Sequence, residues 1–424
     1  MFRLCVPTTE PLPDRGKKRL LAAVADPTDL TEYFRQRRQL VAGIKSAYVH
    51  SETNLGAYEA FLPWAGAMVA LADAFDEQTR DAVQKFHFTW STASLRHVAA
   101  SDVAVASHGN SGAGSSSSGA TGPKPTVLSL KSARFELVMI VASLGMQHWA
   151  MAHAALDDSA QAAGDGGSAE PTVAALKAAY TSLRAAAGVF IELERLVAAF
   201  VDAPDAEHLP LEATPAGATL LIEWARAEAE ACLLFSTTLE GKVSGKLAAR
   251  IAASVAVRFG RAADVATNSG CDSAILPYLT MRGGLARATA LRHQAAMASE
   301  AGEHGVACAY IDMATEAMGG VVELLASIKS SKGLLSSVLG GGNPAARFRA
   351  LVPLASSEVK AIEAAAKSYH HDNDNVYYEP VPKASTLELA EAASVAAPTE
   401  LDMPPPAFVD VALKPEEEST CCIS

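Results

Sequence analysis

Twenty consecutive residues without a charge, LVMIVASLGMQHWAMAHAAL from Leu137 to Leu156, limit what this chain can fold into more than any other feature. An apolar run of that length either spans a bilayer or lies buried on all sides within protein. Gln147, His148 and His153 would sit in or near hydrocarbon in the first case, each costly without a partner. A buried helix at the centre of a helical stack is therefore expected. Composition agrees: half the residues are hydrophobic but only 6% are aromatic, because alanine supplies much of the apolar count. Alanine is the best helix former and lets helices approach closely. At 424 residues the chain is too long for one ordinary compact core, so two domains or one elongated array are expected.

Helical signals recur along the sequence. Asp29 with Glu32 three residues later reads as an N-cap, followed by Leu30, Phe34, Val41, Ile44 and Tyr48 at helical spacing. Pro171 opens a second long helix, with Val173, Leu176, Tyr180, Leu183 and Phe190 on one stripe. Thr214-Pro215 starts a third, running to about Glu240. Asn343-Pro344 starts the last, with a kink expected at Pro353. Tyr278 to Ala326 reads as an antiparallel helix pair joined at EAGEHG and punctuated by Ala288, Ala295, Ala309 and Ala317, as in stacked helical repeats.

Two short segments break this pattern. KFHFTW alternates Phe86, Phe88 and Trp90, as a half-buried strand does. Asn373 to Pro382, NDNVYYEPVP, is expected to be extended because of its prolines; together the two segments could form a small sheet. Residues from about 101 to 126 (GNSGAGSSSSGATGPKP at their centre) and from 157 to 170 read as flexible insertions. From 384 onward the chain lacks a periodic apolar face and reads as a disordered acidic tail.

Most reactive chemistry is argued against. Six scattered cysteines without a CxxC pair fit buried thiols in a reducing compartment. A net charge of −12, with no long basic run, argues against nucleic acid as a partner. GKVSGK (Gly241 to Lys246) has the wrong spacing for a phosphate loop, and Leu247 stands where the magnesium-binding hydroxyl belongs. It reads better as a helix end at Gly241 and a helix start at Ser244. His370 to Asp374, HHDND, offers metal ligands but also fits a helix terminus. GNSGA (Gly109 to Ala113) is no nucleophile elbow, since it ends in Ala within low-complexity sequence. No cofactor, metal or enzymatic activity is expected. The N-terminal residues carry acids and prolines where a signal peptide needs an apolar core, and Phe2 stands where myristoylation needs Gly, so a cytosolic start is expected.

Four segments carry a resemblance. SARFELVMIVASLGMQHWAMAHAA (Ser132 to Ala155), AAGVFIELERLV (Ala186 to Val197), ARAEAEACLLF (Ala225 to Phe235) and DNDNVYYEPVP (Asp372 to Pro382) are similar to successive signatures of the BRO domain family of endosomal adaptors. Coverage runs from about 28 to 383, leaving 1–27 as an N-terminal extension. The resemblance implies a mainly all-α, elongated, banana-shaped domain with a tetratricopeptide-like solenoid core and a small β-sheet. It further implies a concave hydrophobic groove for the C-terminal amphipathic helix of an ESCRT-III filament subunit, a charged multivesicular body protein. The family's three anchor positions fall on Leu234, Leu247 and Ile251. Leu247 and Ile251 are i,i+4 neighbours, so they project together from one helix, and Leu234 precedes the Gly241 break. All three equally suit the core of a helix hairpin, and a shift of one position selects Leu233. Tyr377 matches a family tyrosine that is phosphorylated in some members, with Tyr378 beside it.

The last four residues, CCIS, match the pattern read by a farnesyl transferase, with Cys421 as the acceptor. A short tail behind a single BRO domain resembles the prenylated, BROX-like branch of the family. The expectation is a cytoplasmic adaptor held peripherally on endosomal or other cytoplasmic-face membranes by the lipid and by its filament partner. From Thr386 to Thr420 eight acids oppose Lys414 alone, so the single chain would anchor weakly and reversibly. Two other readings stay open: a prenylated helical scaffold for a different trafficking adaptor, and a metal-dependent enzyme using His370 to Asp374.

Overall fold

The computed structural model describes residues 8–9, 12, 17–18, 21, 27–44, 52–74, 88–92, 126–130, 132–164, 169–199, 209–271, 275–330 and 351–408. Among these residues lie three strands, β1 (Thr8–Thr9), β2 (Phe88–Thr92) and β3 (Thr126–Leu130), and nine α-helices. The helices are α1 (Thr28–Gly43), α2 (Glu52–Ala74), α3 (Ala133–Gly164), α4 (Ala169–Ala198), α5 (Pro215–Leu239), α6 (Gly245–Ser269), α7 (Ile275–Glu300), α8 (His304–Ser330) and α9 (Leu351–Asp372).

From α3 to α9 each helix packs chiefly on the one before it and the one after it, the arrangement of a helical solenoid. Small residues allow the close approach: Ala288 and Ala295 on α7 and Ala309 on α8 are buried. Gly302, at φ 79°, turns the chain between α7 and α8, within the EAGEHG joint expected from the sequence. Three rings on alternate helices form the spine of the core. Trp149 of α3 meets Trp224 of α5 edge-on at 5.1 Å, and Trp224 meets Tyr278 of α7 at 5.6 Å.

The uncharged run falls within α3, and 89% of its Ala133–Leu156 stretch is buried inside the protein. It is the central core helix that the sequence implies. A second helix, α2, is also long and apolar enough to cross a membrane over Asn54–Asp73, and is 39% buried. α3 continues to Gly164 and α4 begins at Ala169, so much of the expected insertion at 157–170 is helical. Its AQAAG stretch is good helix-forming sequence, which outweighs the aspartates before it. Most of the insertion at 101–126 lies outside the described residues.

The sheet is built from parts the sequence reading did not join. Its order is β1-β2-β3, antiparallel throughout, with Phe88 and Trp90 of β2 fully buried. Phe86 lies outside the described residues. The strand β1 comes from the expected N-terminal extension, and NDNVYYEPVP takes no part. Asn373–Tyr377 instead continues α9 as one wide helical turn, and only the chain beyond it is extended. Asn373 explains this: its buried side chain bonds both the N–H and the carbonyl of Glu379, closing a local turn before the prolines act.

Beneath the sheet lies a buried ion pair. Glu136 of α3, fully buried, accepts from Arg37 Nε of α1 at 2.7 Å and from Trp90 Nε1 of β2 at 2.7 Å. Arg37 also reaches Thr9 Oγ1 of β1 at 2.8 Å. The N-cap expected at Asp29 is not formed: the cap position falls two residues earlier, on Pro27, without a side-chain hydrogen bond, and Glu32 bonds Arg35 and Gln36 instead. Tyr48 and the Asn343-Pro344 start lie outside the described residues. Pro353 falls in the first turn of α9, where its missing N–H costs no hydrogen bond and no kink is required.

The largest departure concerns the residues expected to be a disordered tail. Residues 384–408 form an extended strap that visits the helices in reverse order. The Glu388 carbonyl accepts from Tyr310 of α8 at 2.6 Å and from Gln294 of α7 at 2.9 Å. The Ala393 N–H donates to the Arg250 carbonyl of α6, and the Thr399 N–H to the Arg184 carbonyl of α4, each at 3.0 Å. The Ala407 N–H donates to the Pro63 carbonyl of α2, and Phe408 packs on Trp64. An extended segment held by backbone hydrogen bonds needs no periodic apolar face, so its sequence resembles that of an unfolded tail.

Gly188 permits the closest approach of this strap, since a Cβ there would stand 1.6 Å from the Thr399 carbonyl oxygen. Gly188→Ala should therefore lift the strap while the helices stay folded. Limited proteolysis is expected to cleave within 384–408 at least tenfold faster in the variant, with an unchanged helical circular dichroism spectrum.

Candidate functional site

The corner between α5 and α6 gathers the residues singled out from the sequence. Thr214 caps α5, accepting from the Gly217 N–H at 3.1 Å, with Pro215 in the first turn as expected. Gly241, at φ 65°, ends the helix, and the Lys242 N–H closes on the Thr237 carbonyl at 2.9 Å. Ser244 then caps α6 by accepting from the Leu247 N–H at 3.3 Å. The GKVSGK stretch is thus a helix stop and start.

This geometry places Leu247 in the first turn of α6, 41% exposed. Its two companions differ: Leu234 is 6% exposed and Ile251 is 3% exposed. Of the three, Leu247 is the one the surface offers, while Leu234 and Ile251 belong to the core. Leu233, the alternative register, is half-buried.

A small cavity of about 20 Å³ opens between α5, α6 and α7, lined by Leu234, Phe235, Val255, Arg282, Leu285 and Thr289 among others. Neither Leu247 nor Ile251 lines it. Sequence reasoning missed Phe235. Phe235 stands one residue beyond Leu234, at the end of the ARAEAEACLLF segment.

Behind the cavity lies a buried polar cluster that no local pattern announces. Glu228 accepts from the Tyr278 hydroxyl at 2.6 Å and pairs with Arg282. Burial would raise its carboxyl pKa, but Arg282 against it and the Tyr278 hydrogen bond hold it below the usual range. Burial, with Glu228 adding to it, pushes the nearby Cys232 thiol up to about 12, which removes it as a nucleophile. A second cluster joins the strap to the solenoid: Arg258 bonds Glu230, Glu223 and Ser394, the last at 2.8 Å.

At the α8–α9 end, the Tyr377 ring stacks on His304, centroids 3.4 Å apart and planes 8° from parallel. Tyr377 is 49% exposed, whereas Tyr378 is 74% exposed and left-handed at φ 55°. The Glu379 carboxylate accepts from the Gly305 N–H at 2.8 Å, tying this turn to the start of α8. His370 pairs with Asp312 at 2.8 Å and His371 meets Asn375. Among the described residues no group of three or more His, Cys, Asp or Glu side chains is arranged to hold a metal. Cys421 lies outside the described residues.

A family model described as the BRO1-like domain matches residues 28–419, and the chain belongs to that family. The match runs past Lys383, the end expected from the sequence, to include the strap. Solved structures share the fold. The ALIX BRO1 CHMP4C complex is 16% identical at a TM-score of 0.66, covering 95% of this chain and 96% of that one. ALIX bound to the SIVmac239 PYKEVTEDL late domain is also 16% identical at a TM-score of 0.66, covering 95% of this chain and 49% of that one, so this chain spans about half of that molecule. The Bro1 domain structure that describes the basis for endosomal targeting is 13% identical at a TM-score of 0.63, covering 94% of this chain and 92% of that one. No curated protein matches the chain. The banana-shaped, mainly helical solenoid with a small sheet expected from the sequence is the architecture found.

Proposed function

We propose that this protein is an ESCRT-III adaptor whose α5–α7 face receives the C-terminal amphipathic helix of a filament subunit of the charged multivesicular body type. The observation that carries the reading is Leu247, an exposed leucine in the first turn of α6; about two turns further along that helix, Val255 lines a cavity together with Leu234 and Phe235 of α5. An amphipathic helix laid on such a face buries apolar surface on both partners, the helix-in-groove mode of recognition. The structural likeness to an ALIX BRO1 domain bound to CHMP4C supports the choice of partner. Titrating the chain with such a C-terminal helix peptide tests it. A Kd in the micromolar range, about −8 kcal/mol, is expected, and no saturable binding up to millimolar peptide would overturn the reading.

The proposal includes attachment to endosomal or other cytoplasmic-face membranes. Where Ser424 is the terminal residue, Cys421 would carry a farnesyl group, as in the BROX-like branch. One chain anchors marginally, and the acidic residues after Thr386 add repulsion from anionic lipid, so lipid and groove act as two linked weak contacts. The protein purified from cells should carry one farnesyl mass on Cys421, and Cys421→Ser should move it from membrane to soluble fractions. An unmodified Cys421 would remove the lipid from the account and leave the groove untouched. Tyr377 is the proposed regulatory tyrosine: it stacks on His304 and is half exposed.

A further inference from the structure

The strap decides where the chain leaves the domain. From Glu388 it crosses α8, α7, α6 and α4 and finishes on α2, where the Ala407 N–H donates to the Pro63 carbonyl at 3.0 Å. Phe408, 7% exposed, packs on Trp64 with ring centroids 6.0 Å apart. Cys421 therefore follows 13 residues after a point fixed on α2, a flexible tether of roughly 20 Å. Counted from residue 384, which lies against α8, the tether would be 37 residues, about 35 Å, and would start from the opposite end of the solenoid. Charge divides along the same line. The first 136 residues, which supply α1, α2 and the sheet, hold 15 Lys and Arg against 13 Asp and Glu, whereas residues 137–424 hold 20 against 34. A chain of net charge −12 thus has one end that is not acidic. On it Lys18 and Arg38 are exposed, and Asp73 of α2 is paired with Arg134 at 2.9 Å.

We propose that the α1–α2 end is the surface this protein turns to an anionic lipid bilayer, and that the strap brings the lipid-bearing tail to it. The inference rests on the farnesyl reading of Cys421, with Ser424 as the terminal residue, and deepens it. One prenyl chain holds marginally, so the protein body beside it decides whether the contact lasts. The cytoplasmic leaflet is negative, and its field reaches about a Debye length, near 8 Å. The tether sets Asp410 and Glu416 to Glu418 against Lys414, which such a leaflet repels. Were the chain to leave from α9, the six acids and three lysines of α8 and α9 would add to that repulsion. Leaving from α2, it presents the lysines and arginines of the first 136 residues instead, and the acidic α8–α9 end stands away from the leaflet.

The test uses the full chain, farnesylated in vitro at Cys421, on vesicles of phosphatidylcholine with phosphatidylserine. A fluorophore is attached through a ketone-bearing residue introduced at exposed Ala60 of α2 or at exposed Lys367 of α9, with the energy acceptor on the lipid headgroups. Transfer from position 60 is expected to exceed that from position 367 at least twofold. Lys18→Glu combined with Arg38→Glu should weaken vesicle binding at least tenfold, since each basic residue near such a surface counts. Lys360→Glu combined with Lys367→Glu on α9 should change it less than twofold. Both effects should vanish on phosphatidylcholine alone. Equal or reversed transfer, or a loss that persists on phosphatidylcholine alone, overturns the proposal while sparing the lipid. A Cys421 that the transferase leaves unmodified, or a modified chain that stays off the vesicles, overturns both.

Discussion

Leu247→Asp is expected to weaken binding of the ESCRT-III helix peptide by at least 50-fold and to leave unfolding of the chain within about 0.5 kcal/mol of wild type. The two halves of that expectation come from one fact, the 41% exposure of Leu247 in the first turn of α6. A partly exposed leucine contributes little to the native core, and surface substitutions away from special features usually fall within about ±0.5 kcal/mol. An aspartate in the first helical turn is also compatible with the helix dipole. On docking, the same position must lose water. Exchanging the burial of a leucine, about 1.5–3 kcal/mol, for the desolvation of a carboxylate removes enough binding energy for a 50-fold loss. Ile251→Asp cannot serve in its place, since Ile251 is 3% exposed and a buried charge would unfold the corner. Peptide titration by fluorescence anisotropy, with thermal unfolding alongside, reads both halves. A bound, unperturbed Leu247→Asp would move the docking face elsewhere.

Glu136→Ala should cause the largest loss of stability from any single change considered, about 3–5 kcal/mol. Glu136 has no exposed surface, and Arg37 beside it is 2% exposed. Removing the carboxylate leaves the guanidinium charged in the core and deprives the Trp90 indole N–H of its acceptor. Arg37, Trp90 and Glu136 stand on α1, β2 and α3, and Arg37 also bonds Thr9 of β1, so the loss should loosen the sheet end first. Glu136→Gln keeps an acceptor and should cost less than Glu136→Ala. Urea unfolding with linear extrapolation measures both; a loss under 1 kcal/mol for Glu136→Ala would mean the pair carries little of the fold.

The sequence made local features legible and hid long-range ones. Thr214-Pro215 and Ser244 were readable because a cap needs only its own turn. The uncharged run was readable because burial on all sides leaves a mark on every residue. The pair of Arg37 and Glu136, 99 positions apart, leaves no such mark, nor does the Glu228–Arg282 pair behind the cavity. The strap at 384–408 reads as an unfolded tail because hydrogen bonds from Tyr310 and Gln294, and one to the Arg184 carbonyl, do the work that an apolar stripe does in a helix. The candidate site was legible in part. The family resemblance singled out Leu234, Leu247 and Ile251, and spacing put the last two one turn apart, but only the packing separates the exposed leucine from the buried isoleucine and brings Phe235 and Arg282 to the same cavity.

Hydrogen–deuterium exchange on the full chain, with and without the ESCRT-III C-terminal helix peptide, tests the central claim most directly. Peptide-dependent protection is expected within Thr237–Ile251 and along the cavity wall of α7, near Arg282 to Thr289. Protection confined to the Tyr377 turn, or to the strap alone, or no protection at a peptide concentration that saturates binding, would contradict it.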